Sequence, residues 1–329
     1  MLYGRVNSYI LYLRRSMLRI RTPSRIHMTL IDMNGSLGRV DGGIGITLED
    51  PSIVLEARVA DTVEVSGDPE LNERMRKACE TILPGKGIDI MIKKSYWNHI
   101  GLGSGTQAAL AAGMAMSAIY ELGLTPRDVA LKIGRGGTSG IGIGSFESGG
   151  FILDGGHRME AKNAFLPSSF SKGVPTAPII LQRDFPEDWD IVLAIPPARG
   201  AYDVYEKDMF ANICPIPLHE VERLSHVILM QMLPALVEKD MDTFGKAVNN
   251  IQEVGFKKRE LDIQPGARDL IEALKSAGAA GVGMSSFGPT VYAITDQPSK
   301  IEAEAKRIVK NCTVIKTRAR NLGAEITEV

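Results

Sequence analysis

The sequence predicts an α+β protein of two domains, and three observations carry that prediction. At 329 residues the chain is longer than a single hydrophobic core usually organises. Strand-like runs cluster near the beginning, whereas helical segments dominate the second half. Helices and strands alternate without the regular βαβ spacing of a doubly wound parallel sheet. The proline-bearing stretch LPSSFSKGVPTAP marks a boundary, dividing an N-terminal domain over 17–175 from a C-terminal domain over 176–329.

The elements follow in order. Residues 1–16, MLYGRVNSYILYLRRS, hold an apolar stretch too short for a signal-peptide core or a membrane span, so they are expected to be a disordered extension preceding Met17. From Leu18, LRIRTPSRIHMTLIDMNG alternates through Ile20, Ile26, Met28 and Leu30 and stops at the turn Asn34-Gly35. PSIVLEARVADTVEVSG reads as two strands, ELNERMRKACETIL as an amphipathic helix, and GIDIMIKKSY as a strand entering a glycine turn. Ser104 to about Leu122 reads as a helix with Ser104 as N-cap and Gly123 as stop. Its alanines and methionines are apolar all round, which places it centrally. TPRDVALKIGR makes another helix, with Pro126 in its first turn.

Residues 134–157, GRGGTSGIGIGSFESGGFILDGGH, are glycine-dense and nearly free of helix formers. Such a stretch either lines a site or makes a run of tight turns. DWDIVLAIPP then reads as a buried strand, followed by helical segments near 218–238, 240–255 and 266–277, a further helix, and the terminal strand CTVIKTR.

Composition narrows the function. A net charge of −1 and a pI near 6.6 exclude a general nucleic-acid binder and a polybasic membrane surface. The chain has three cysteines, Cys79, Cys214 and Cys312, with no C-x-x-C pair, which excludes a disulfide framework or zinc site and fits a reducing cytoplasm.

The chemistry concentrates in three places. NHIGLGSGTQAALAAGMAMSA sets Gly101, Gly103, Ser104, Gly105 and Thr106 ahead of the apolar helix. Glycines admit close backbone approach, and a helix N-terminus offers unpaired amides, so the turn suits an anion. It is neither a Walker A loop nor a G-x-G-x-x-G fingerprint, since position 106 is threonine. GVGMSSFGPTVYAI is a second glycine/serine turn. In the first strand, Arg25, His27 and Asp32 interrupt an apolar run. A period of two puts Arg25 and His27 on one face, opposite Met28, Leu30 and Asp32. That pair of basic residues either binds an anionic substrate or simply faces solvent.

Together these segments resemble the GHMP superfamily of galactokinase, homoserine kinase, mevalonate kinase and phosphomevalonate kinase. Its phosphate loop, P-x-x-x-G-L-G-S-S-A-A, is matched by NHIGLGSGTQAA at Gly101-Leu102-Gly103-Ser104, without the leading proline or second serine. The resemblance implies a GHMP-kinase-like fold: a ribosomal-protein-S5-like N-terminal half with a left-handed βαβ unit, a ferredoxin-like C-terminal half, and a site between them. Kinases of the superfamily commonly carry S-G-[IV]-D, whose aspartate helps activate the acceptor hydroxyl. Here the segment is Ser139-Gly140-Ile141-Gly142, with glycine in the aspartate's place and Gly149-Gly150 following.

SRIHMTLIDMNGSLGRVDGGIGI and GRGGTSGIGIGSFESGGFILDGGH are similar to a branch that is not a kinase, the β-ribofuranosylaminobenzene 5′-phosphate synthases of archaeal methanopterin biosynthesis. That resemblance implies condensation of phosphoribosyl pyrophosphate with 4-aminobenzoate or 4-hydroxybenzoate, loss of CO2 and pyrophosphate, Mg²⁺, and a homodimer. Under it, Gly101, Gly103, Ser104, Gly105 and Thr106 grip pyrophosphate or its metal, and Ser285, Ser286 and Gly288 complete the phosphate site. Gly142 makes space where a kinase keeps its aspartate. Arg25 and His27 hold the 5′-phosphate or the benzoate carboxylate. Glu147 is the first metal candidate and Asp154 the second, each also suited to a structural role. Arg199 either enters the cleft from the second domain or lies on the surface, and His99 is either a donor or a turn residue. An ATP-dependent small-molecule kinase and a non-catalytic sensor on the same scaffold are the competing functions.

Overall fold

A computed structural model describes residues 17–162, 164–167, 171, 173–198 and 204–329; the expected extension 1–16 and Arg199 lie outside the described residues. Among the described residues twelve strands form two sheets. The larger runs β12-β1-β2-β4-β3, with β5 and β6 paired to β2 and β7 paired to β5. Its strands are β1 (Leu18–Asp32), β2 (Arg39–Ala60), β3 (Val63–Ser66), β4 (Gly87–Lys94), β5 (Phe151–Asp154), β6 (His157–Arg158), β7 (Ile179–Arg183) and β12 (Glu325–Glu328). The smaller sheet has the order β11-β8-β10-β9, with β8 (Asp190–Ile195), β9 (Gly281–Met284), β10 (Val291–Thr295) and β11 (Thr313–Thr317). Both layers carry helices, as the α+β prediction requires.

β1 and β2 form one long hairpin, from Leu18↔Ala57 to Asp32↔Asp41. The Asp32 carboxylate accepts from the amides of Asn34 and Gly35 and so closes the expected turn. β3 and β4 are parallel, joined through the helix Pro69–Ile82. Across the sheet lies the helix Ser104–Ile119, buried along most of its length as its all-round apolarity predicts. Gly113 lets it pack close, since a Cβ there would come within 2.5 Å of Val129. Its N-cap is Gly103, in the left-handed region at φ 83°, and not Ser104. A left-handed N-cap is steep for a serine, so Ser104 becomes the first helical residue and its hydroxyl donates to Asn98 Oδ1 at 2.6 Å.

Three further expectations change. The glycine-dense segment contains a short helix, Ile141–Glu147, despite Gly142 and Gly144. Packing overrides propensity there: the Gln107 amide donates to Gly142 O at 2.7 Å, and a Cβ on Gly144 would meet Ile152 at 3.1 Å. The single helix expected over 218–238 is Leu218–Val227, a π-turn at Ile228–Met232, and Leu233–Glu238. Pro234 lacks the N–H that an unbroken helix would need, and the wider turn accommodates it. The segment expected over 240–255 is Met241–Ile251, an unexpected helix Gly255–Asp262 follows it, and the segment expected over 266–277 is Ala267–Ser276.

The large sheet also draws on the chain beyond residue 175. β7 pairs with β5, β12 pairs with β1, and Thr47 exchanges backbone hydrogen bonds with Gly150 and Arg320. The cleft between the layers is therefore bounded by segments distant in sequence.

Candidate active site

The glycine turn is clasped to its neighbours by specific bonds. Gly101 has φ 85°, and a Cβ there would sit 2.3 Å from Ser285 O, so only glycine fits. Ser285 Oγ donates to Gly101 O at 2.7 Å and accepts from the His27 amide at 3.0 Å. Thr290 Oγ1 donates to Ile100 O at 2.5 Å, and the Ser286 amide donates to His27 O at 2.8 Å. Ser285 is wholly buried with its hydroxyl engaged. It is a clasp between turn and strand, which corrects its expected place on a phosphate; Ser286 and Gly288 do line the cavity.

That cavity holds about 250 Å³ and is bounded by both halves of the chain. Gly101, Gly103, Ser104, Gly105, Thr106, Asn98 and His99 line it, together with Arg25, Arg74 and Arg135. Arg25 Nη1 donates to Gly101 O at 2.5 Å. A Cβ on Gly103 would lie 3.1 Å from Arg25 Cζ, and one on Gly105 would lie 2.2 Å from Arg74 Nη1. The glycines thus let guanidinium groups rest directly on the turn. Among the described residues the amides of Ser104 and Gly105 donate to no acceptor. Unpaired amides at a helix start, beside guanidiniums, make a strong site for a phosphorylated group.

His27 lines the cavity beside Arg25, on the strand face the sequence predicts. It is not the second cation. Burial first, then Arg25 and Lys257, hold its imidazole well below 6.5, so the ring is neutral near pH 7. Its Nδ1 is buried without a hydrogen-bonding partner among the described residues.

Neither acidic candidate forms a metal centre. Glu147 stands off the cavity, forked by Arg127 at 3.0 and 3.1 Å. Asp154 accepts from the Gly140 and Gly156 amides at 2.9 Å and from Ser139 Oγ at 3.2 Å, which occupies it as a backbone lock. Burial pushes its carboxyl up to about 6. Among the described residues no three His, Cys, Asp or Glu side chains gather around a possible metal. At Gly142 a Cβ would lie 3.3 Å from the Thr106 methyl.

The cavity also has an apolar lining, and no sequence pattern pointed to it. A β-bulge between His27 and Thr29 reverses the alternation of β1, so Leu30 reaches the cavity despite the predicted opposite face. Phe210, from the helix Val204–Ile213, and Phe287 join it, with Pro167 and the buried Glu260. Arg74, Arg135 and Glu260 were also missed, since each resembles an ordinary polar residue on a helix or loop. Beside the cavity, Asp41 accepts from Lys162 Nζ at 2.8 Å and meets His157 Nδ1 at 2.7 Å. Lys162 also donates to Thr138, a cavity residue, at 3.1 Å.

Comparison with known proteins places this geometry. The GHMP kinases N terminal domain matches residues 71–149, and the GHMP kinases C terminal domain matches residues 232–313. The β-ribofuranosylphenol 5′-phosphate synthase of Archaeoglobus fulgidus is 48% identical, over 94% of this chain and 99% of its own. The protein of that name from Methanocaldococcus jannaschii is 44% identical, over 93% and 99% respectively. Among solved structures, a Methanococcus jannaschii mevalonate kinase superposes with a TM-score of 0.66 at 16% identity, covering 94% of this chain and 100% of that one.

Proposed function

The chain belongs to the family of the archaeal β-ribofuranosylphenol 5′-phosphate synthases, on a GHMP kinase fold, and from that premise we propose that it joins phosphoribosyl pyrophosphate to 4-hydroxybenzoate or 4-aminobenzoate. Carbon dioxide and pyrophosphate leave, and a C-riboside phosphate forms. The observation that carries this reading is one cavity lined both by arginines and turn amides and by the apolar side chains Leu30, Phe210 and Phe287. A phosphorylated sugar and an arene require just those two environments side by side.

The turn amides of Ser104 and Gly105, with Arg25 and Arg74, receive the diphosphate and stabilise charge as its bond to the ribose breaks. The arene lies against Leu30, Phe210 and Phe287 and attacks through the ring carbon that bears the carboxylate. Since that carbon loses CO2 and not a proton, it needs no base. A neutral His27 serves as a hydrogen-bond partner to the donor, with Arg25 supplying the charge. Magnesium fits this site as a companion of the diphosphate. Ser104 and Thr106 offer neutral oxygens, and bound Mg²⁺ would supply charge neutralisation for the leaving group. A cytoplasmic homodimer completes the proposal.

The test is incubation with phosphoribosyl pyrophosphate, Mg²⁺ and a carboxyl-labelled acid. We expect labelled CO2 and pyrophosphate in equal amounts without ATP. ATP-dependent phosphorylation of a hydroxyl would establish a kinase instead, a reading that the distant homoserine kinase relatives, such as that of Methanocella arvoryzae at 24% identity, keep in view. Binding without turnover would make the protein a sensor.

A further inference from the structure

The helix Gly255–Asp262 reads GFKKRELD, as polar as many surface helices, yet Lys257 is 0% and Glu260 2% exposed. Burying such charges costs several kcal/mol per ion, and pairing them often does no more than offset it. The pair is anchored toward the cavity: Lys257 Nζ contacts Glu260 Oε2 and donates to Ser286 O at 3.0 Å. Apart from Lys257, Oε2 has no polar partner among the described residues. Phe256 and Glu260 are one turn apart and share a helix face. The Phe256 ring packs 4.8 Å from Phe210 and 6.1 Å from Phe287, centroid to centroid. A buried carboxylate therefore lines the cavity together with Phe210 and Phe287.

We propose that Glu260 recognises the group para to the carboxylate on the aromatic acceptor, accepting the hydrogen bond of its hydroxyl or amine and taking the hydroxyl's proton during attack. This rests on the synthase reading above. The bond from the ribose carbon to diphosphate breaks with its pair on oxygen. The ring carbon bearing the carboxylate gives a π pair to the sugar carbon. The para oxygen replenishes the ring with a lone pair as its proton passes to Glu260. The carbon–carboxylate bond then breaks, its electrons restore aromaticity, and Glu260 returns the proton. An amine acceptor passes through an iminium and regains its lone pair with no proton transfer, so it needs Glu260 only as a hydrogen-bond acceptor. Burial pushes the Glu260 carboxyl above its usual range, against the pull of Lys257, and a more basic carboxylate accepts a proton more readily.

The experiment compares full-length wild type with Glu260→Gln on both acids and measures phosphoribosyl pyrophosphate binding separately. We expect kcat/KM for 4-hydroxybenzoate to fall about a hundredfold or more, as for loss of a general base. For 4-aminobenzoate the fall is about tenfold, as for loss of one hydrogen bond. Donor affinity stays within about threefold, because Glu260 is not among the groups assigned above to the diphosphate. Equal losses on the two acids, or no loss on either, would overturn the assignment to Glu260. A wild type that forms no C-riboside from either acid would instead overturn the synthase reading. Should the single variant unfold or lose donor binding, the paired replacement Lys257→Met with Glu260→Gln removes the stranded charge, and the same ratio between acids decides.

Discussion

His27 occupies β1 with Arg25 two residues before it, and burial together with Arg25 and Lys257 keeps its ring uncharged. The sign of the resulting pH effect follows. A histidine whose folded pKa lies below 6.5 contributes stability that is complete above 6.5 and is lost as pH falls, because the unfolded chain takes up the proton first. The slope is at most about 1.4 kcal/mol per pH unit. Denaturant unfolding at pH 7 and pH 5 should show wild type losing stability relative to His27→Gln on acidification; parallel curves would show that the ring is charged in the fold. Arg25 and His27 were legible as a basic pair from their spacing alone. Their different charge states were not, because protonation depends on what lies beside the ring.

At the scale of an element, the glycine turn and its helix act as one unit. Gly105 takes an ordinary helical φ, so its role is to make room for Arg74. Gly105→Ala improves helix propensity by roughly 1 kcal/mol while a Cβ would lie 2.2 Å from the guanidinium. The flexible arginine gives way, so we expect an unchanged or raised melting temperature with a phosphoribosyl pyrophosphate KM raised about tenfold or more, roughly the worth of a charge-assisted hydrogen bond. Unchanged KM would remove Arg74 from the donor site. The turn, the buried helix and the first strand were readable because glycine clustering and hydrophobic period are local signals. Helix Ile141–Glu147 was not, since its glycines argue against helix until Thr106, Gln107 and Ile152 are known to pack on them. The bulge after His27, which turns Leu30 into the cavity, leaves no mark in the alternation.

For the whole molecule, the cavity is closed by Arg25 and the turn from one layer and by Phe210, Glu260 and Phe287 from the other. A ligand that bridges them stabilises the folded chain as a unit. At about 100 times its Kd, Mg²⁺-pyrophosphate adds about 2.7 kcal/mol, a shift of a few degrees in one cooperative melt. A melt that splits in two, with only one part moved by ligand, would show that the layers unfold independently. Strands β7 and β12 argue for cooperation, since each returns from beyond residue 175 to the large sheet.

What the sequence determined by itself was the α+β class, the glycine turn before the buried helix and the likeness to a synthase branch, all written in short-range pattern and in runs of matching residues. Tertiary structure alone decided which polar groups face the cavity. It withdrew Ser285, Glu147 and Asp154 into structural bonds and brought Arg74, Arg135 and Glu260 to the cavity. The physical reason is that a side chain's role depends on desolvation and on neighbours tens or hundreds of residues away, neither of which has a period along the chain.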